Sequence, residues 1–96
     1  MAKAYWVIAW RSISDPAAVT RYAAIASPVI QARGGRVIAR GIPAKTYEEG
    51  VAQRLVLVEF DSLADAIAAY ESAEYQAALP HIAGVAERDV RVIEGA

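Results

Sequence analysis

Residues Ala4-Tyr5-Trp6-Val7-Ile8-Ala9-Trp10 form an unbroken apolar run, bounded by Lys3 and Arg11 and rich in aromatic and β-branched side chains. Such a run predicts a strand over residues 3–11. Side chains alternate across a strand, so Tyr5, Val7 and Ala9 take one face and Trp6, Ile8 and Trp10 the other. Neither face is polar. The clearest strand, Arg54-Leu55-Val56-Leu57-Val58-Glu59-Phe60, has the same property, with Leu55, Leu57 and Glu59 opposed to Val56, Val58 and Phe60. Any sheet built from these segments has two apolar faces, and helices in so short a chain cover only one of them.

The intervening residues supply those helices. Asp15 is a natural N-cap with Pro16 at the first helical position, and Val19, Tyr22, Ala26 and Ile30 follow at helical spacing as an inward stripe. Pro28 predicts a kink, or a second short segment capped by Ser27. Gly34-Gly35 ends the helix. Residues 36–41 read as a second strand, and residues 42–52, with Pro43 and Glu48-Glu49-Gly50, as a loop. Asp61-Ser62 caps the next helix, which places Leu63, Ile67 and Tyr70 on one face. Ser72 starts a short helix to Leu79, and Pro80 opens a further helical turn to about Glu87. Residues 89–94 form the last strand. The order β-α-β-β-α-β predicts a single domain over residues 1–96. Its expected fold is a ferredoxin-like α+β sandwich, a four-stranded antiparallel sheet with helices on one face.

The uncovered face is the difficulty. Of 96 residues, 56% are hydrophobic, and alanine supplies 22 of them. A monomer of this mass has a folded surface of roughly 5,300 Å² against about 15,000 Å² unfolded. An exposed sheet face of Trp or β-branched residues exceeds what soluble monomers carry, so a homodimer through the sheet face is expected.

Several short signatures occur in order along nearly the whole chain: Tyr5-Trp6, Asp15-Pro16, Tyr22, Gly34-Gly35-Arg36, Arg40-Gly41, Glu59-Phe60, Ser72-x-Glu74-Tyr75-Gln76 and Val92-x-Glu94-Gly95. Together they resemble the DUF1330 family, whose name records that no function is assigned. The resemblance implies a dimeric α+β barrel in which two ferredoxin-like sheets pack face to face. Wider relatives of that architecture include cofactor-independent monooxygenases, muconolactone isomerase-like enzymes, haem-dependent proteins and ligand sensors. A shared fold does not carry shared chemistry. After Gly41, Ile42-Pro43 departs from the more polar segment common in the family.

Composition narrows the function classes. Ten basic and eleven acidic residues give a net charge of −1, which is no footprint for nucleic acid. The third strand also lacks the Gly and stacking aromatics of an RNA-recognition domain. There is no Cys and a single His, so no metal site and no cofactor is expected, haem included. No segment is long enough to span a membrane, and a cytoplasmic protein is expected.

The remaining candidates are individual side chains. His81 titrates near neutral pH and is either a general base or a surface helix residue. Arg36 and Arg40, four apart, fall on one side of a regular strand with Ile38; they either grip a ligand anion or pair with Glu59, Glu48 or Glu49. Glu59 is either a buried acid–base group or the partner of an arginine. Tyr5, Tyr22, Tyr70 and Tyr75 are candidates to line an aromatic pocket, Tyr22 foremost because it lies on the inward helix face with a hydroxyl that needs a partner. Trp6 and Trp10 suit core or interface packing. Three functions fit. One is a cofactor-independent enzyme for a small apolar or aromatic anionic metabolite, with Arg40 holding the anion and His81, Tyr22 or Glu59 moving protons. The second is a non-catalytic binding or sensing module, and the third a purely structural dimer.

Overall fold

The computed structural model describes residues 2–96. In chain order the elements are β1 (Ala4–Ile13), α1 (Pro16–Ala32), β2 (Arg36–Gly41), β3 (Leu55–Phe60), α2 (Leu63–Glu71), α3 (Ala73–Gln76), a 3-10 turn (Leu79–His81) and β4 (Ala86–Glu94). The strands form one antiparallel sheet in the order β2-β3-β1-β4. This is the ferredoxin-like α+β arrangement that the sequence predicts.

The helices settle which face of β1 is covered. Ala4, Trp6, Ile8 and Trp10 are buried beneath them, joined by Val58 and Phe60 of β3 and by Tyr22, Ala26 and Ile30 of α1. Both tryptophans are therefore core residues. Trp6 is fully buried; its indole N–H donates to the Ala66 carbonyl at 2.8 Å, and its ring lies against Phe60, Tyr70 and Tyr75. Asp15 caps α1 through the Ala17 N–H at 3.1 Å, and Ser62 caps α2 through the Asp65 N–H at 3.1 Å.

Four local expectations are corrected. First, α1 is a single helix through Pro28, with no second segment capped by Ser27. Pro28 and Ala24, the residue whose carbonyl loses its helical donor, are both exposed, so water can serve that carbonyl and the helix continues. Second, Ile67 and Tyr70 do line one groove together, but the side chains of α2 buried against the sheet are Ala66 and Ala69, while Ile67 is 41% exposed. Small side chains there let the helix approach the large Trp6 ring. Third, no helix runs from Pro80 to Glu87. A single 3-10 turn ends at His81, and β4 begins at Ala86, three residues before the expected start. The extension pairs Ser12 and Ile13 of a longer β1 with Glu87 and Ala86.

The fourth correction concerns the arginines. Arg36 pairs with Glu59 and Val37 with Val58, but Ala39 then pairs with Leu57, leaving Ile38 as an extra residue. A bulge of this kind inverts the alternation beyond it. Arg36 therefore lies on the open face with Glu59, whereas Arg40, opposite Val56, lies on the helix-covered face.

Gly35, just past α1, is a close-approach point. A Cβ there would sit 2.5 Å from the Ile30 side chain and 2.9 Å from the Phe60 ring. Gly35→Ala is expected to destabilise the fold by about 1–3 kcal/mol through overpacking. Urea denaturation measures this directly, and an unchanged midpoint would contradict it.

The molecule is a slab with Cα extents of 35 × 33 × 16 Å. Its surface of 5997 Å² exceeds the roughly 5,300 Å² expected of a monomer of this mass. The uncovered sheet face and the loop between β2 and β3, with Ile42, Tyr47 and Val51 all more than 60% exposed, both contribute to the excess. On the sheet face Tyr5, Val7, Ala9, Leu55 and Leu57 are only partly shielded, and Ile93 is 58% exposed.

Candidate functional site

Between α1 and the covered side of the sheet lies a cavity of about 70 Å³, whose lining includes Ile8, Trp10, Tyr22, Arg40, Arg54 and Arg88. Each strand of the sheet contributes to it. The bulge in β2 places Arg40 on the helix-covered side, where it lines the rim of the cavity while staying exposed to solvent. Arg54 enters just ahead of β3. Arg88 pairs with Trp10 across β4 and β1, on the same face as Val90 and Val92.

Arg88 organises the interior. Its guanidinium lies 5.0 Å from the ring centres of both Trp10 and Tyr22, which themselves meet edge to face, so it makes a cation–π contact with each. It donates to the Tyr22 hydroxyl at 3.1 Å and to the Tyr75 hydroxyl at 3.3 Å, and the two hydroxyls also hydrogen-bond to each other. Two hydroxyls bring two hydrogens, and only one is used between them. A guanidinium accepts none, so one tyrosine O–H has no acceptor among the described residues. The Trp10 indole N–H and the Arg54 Nε–H are also buried without a partner.

Charge accounting points the same way. Six of the ten Lys and Arg residues (Lys3, Arg11, Arg21, Arg33, Arg36 and Arg91) have a carboxylate within 4.0 Å. Among the described residues four do not: Arg40, Lys45, Arg54 and Arg88. Three of those four line this one cavity, and no carboxylate does. The site is rich in donors and in positive charge, and poor in acceptors.

Burial pushes the Tyr22 hydroxyl well above its ordinary pKa of 10.0, and neighbouring Tyr75 adds to the shift, while Arg88 opposes it without cancelling it. Folding thus holds the Tyr22 proton more tightly than unfolding does. Its contribution is fully present below the unfolded pKa of about 10 and is lost as pH rises toward the folded value. Tyr22→Phe is therefore expected to flatten the fall in stability above pH 10.0. Thermal melts across alkaline pH check this; parallel curves for the two proteins would contradict it.

The sequence candidates divide into separate groups. Tyr22, Tyr75 and Arg40 belong to the cavity region, with Tyr75 fully buried behind Tyr22. Arg36, Glu59 and Tyr5 form a cluster on the open face. Arg36 donates to Glu59 at 3.0 Å and to Asp61 at 3.2 Å, Tyr5 donates to Glu59 at 3.2 Å, and Lys3 pairs with Asp61 at 3.0 Å. The Arg36 hydrogen bond holds the Glu59 carboxyl below its usual range; burial opposes it, and the hydrogen bond from Tyr5 adds to the lowering. Glu59 is an ionised structural partner across the sheet from Tyr22. His81 is exposed on its 3-10 turn and is not part of the cavity lining. Tyr70 packs on Trp6 and Tyr75 and lines a separate groove between α2 and β4 with Ile67 and Val92. The candidate trio His81, Tyr22 and Glu59 is not brought together.

Arg88 is the residue that sequence reasoning misses. Starting the last strand at Asp89 leaves it outside the sheet. The alternation Arg88, Val90, Val92 carries the signal, because it continues the covered face one position back.

Among the described residues no group of three His, Asp or Glu could hold a metal ion, and no helix is long and apolar enough to cross a membrane. The family model of DUF1330, a domain of unknown function, matches residues 3–96. No curated protein matches the sequence. Among solved structures the chain is similar to a protein of unknown function from Rhodopseudomonas palustris, at 14% identity and TM-score 0.73, covering 99% of this chain and 83% of that one. A dimeric ferredoxin-like protein of unknown function from Thermobifida fusca is similar at 17% identity and TM-score 0.66, covering 97% and 91%. SnoaB, a cofactor-independent oxygenase from Streptomyces nogalater, is similar at 8% identity and TM-score 0.63, covering 100% and 95%. At these identities the likeness is one of fold.

Proposed function

Since the chain belongs to the DUF1330 family, which brings no assigned activity, we propose from the cavity itself that it binds a small organic anion with a flat or apolar body. The observation that carries this reading is the convergence of Arg40, Arg54 and Arg88 on one cavity with no lining carboxylate. Buried N–H groups and charges without partners are costly, and a carboxylate, phenolate or enolate oxygen supplies the acceptors they lack. Trp10, Tyr22 and Ile8 provide the apolar wall.

The same donors would stabilise negative charge on a substrate oxygen, the main requirement for cofactor-independent chemistry. The fold likeness to a cofactor-independent oxygenase supports an enzyme of that kind. Tyr22 holds its proton too tightly to act as a base near neutral pH, and no carboxylate or imidazole lines the cavity. The substrate of such an enzyme therefore enters already ionised. The absence of a lining base also favours a second reading, a binding or sensing module that performs no chemistry.

Matched pairs of ligands test the binding. Benzoate is expected to raise the melting temperature and the neutral isostere benzamide is not, because only a ligand that binds the folded state stabilises it. Equal shifts, or none with any anion, would contradict the reading.

The open sheet face takes a second copy of the chain in this proposal. The excess surface, the apolar centre around Val7 and Leu57, and the likeness to a dimeric protein support it. Sedimentation at micromolar concentration is expected to give a dimer, and Leu57→Arg a monomer. A monomeric wild-type protein would overturn the assignment.

A further inference from the structure

The anion cavity is not isolated. Val19, Ala23 and Arg54 line it and also line a larger hollow of about 450 Å³ at the start of α1, completed by Ile13, Pro16 and Thr20. Arg54 is the single charged residue of that hollow, and the Thr20 hydroxyl is turned back to the Pro16 carbonyl at 3.3 Å. Its surface is therefore apolar. At the opposite end, Ser27, Ile30, Val37 and Arg40 continue the cavity into a hollow of about 410 Å³ that adds Gln31 and Arg36 and is more polar. The trench beneath α1 is thus graded, apolar at one end, donor-rich in the middle and polar at the other end, where Arg36 is already neutralised by Glu59 and Asp61.

A site so graded matches a ligand graded the same way. At about 70 Å³ the central cavity has room for a charged head group and little more. The apolar hollow, by contrast, falls within the range of roughly 300–1,000 Å³ typical of ligand pockets. We infer that the ligand is an elongated amphipathic anion, with its anionic head among Arg88, Arg54 and the Trp10 indole and its apolar tail along Ile13, Pro16 and Val19. This inference rests on the anion-binding reading above and adds the shape and polarity of the ligand.

Calorimetric titration with straight-chain carboxylates from butanoate to decanoate tests the inference. Each added methylene buried in the hollow is expected to tighten binding about fourfold, until the hollow is filled. In Ile13→Glu, at a partly exposed position that tolerates a polar residue, octanoate is expected to lose most of this gain. Val19→Trp, which fills the hollow with a bulky apolar group, is expected to do the same by a different route. Carboxylates that bind without any dependence on length would overturn the tail site and leave the anion site standing. A length dependence that survives both variants would also overturn the tail site. Failure of carboxylates of every length to bind would remove both proposals together.

Discussion

Trp6→Ala is expected to cost about 3–5 kcal/mol, the range for removing a large buried aromatic ring. Domains of this size have total stabilities of only about 5–15 kcal/mol, so the variant sits at the edge of folding. The melting temperature should fall by roughly 15–30 °C. The cause is specific to this fold. Trp6 is fully buried in the centre of β1, packs on rings from β3, α2 and α3, and gives its only N–H to the Ala66 carbonyl. Trp6→Phe, which keeps most of the ring contacts and loses the hydrogen bond, should cost clearly less. Calorimetric or urea unfolding measures both variants. An alanine variant as stable as the phenylalanine one would show that the cluster does not depend on the ring.

Arg88→Met is expected to weaken binding of benzoate by about 10–100-fold, since hydrogen bonds to a charged group contribute roughly 1.5–3 kcal/mol each. Its effect on folding should be small. The methionine stem retains the apolar packing against Trp10 and Tyr22, and the Tyr22 and Tyr75 hydroxyls still bond to each other. Arg88 has no carboxylate partner to orphan, and removing an unpaired, partly buried cation relieves its desolvation cost. Paired measurement of affinity and melting temperature separates the outcomes. Lost binding with retained stability fits the account. Retained binding would show that the anion is held elsewhere, and collapse of the fold would show that Arg88 is structural.

Much of the architecture is legible in the sequence because it depends on short-range patterns. The two-sided apolar β1, the caps at Asp15 and Ser62, and the inward stripe through Tyr22, Ala26 and Ile30 all predict elements that the structure contains. Failures arise where a single residue changes register or where solvent compensates. The extra residue at Ile38 sends Arg36 and Arg40 to opposite faces, and no period-two reading can foresee it. Pro28 is tolerated because its side of α1 meets water. The site was legible only in part. Tyr22, Tyr75 and Arg40 carry visible signals, but Arg88 joins them only through the β1–β4 register, which is set by pairing between residues about 80 positions apart, Trp10 with Arg88 among them. His81 and Glu59 attract attention as ionisable types, yet the fold leaves one on the surface and ties the other to Arg36.

The central claim is that the cavity between α1 and the sheet lacks acceptors and is completed by an anion. The two tryptophans provide a reporter and an internal control. The Trp6 indole N–H is already bonded to Ala66, whereas that of Trp10 is buried without a partner beside Arg88. A ¹⁵N–¹H correlation spectrum carries one indole signal for each of the two tryptophans. On titration with benzoate, the account predicts that the Trp10 indole proton shifts saturably downfield while that of Trp6 stays in place, and that benzamide moves neither. A stationary Trp10 signal, or equal shifts with benzoate and benzamide, would contradict it.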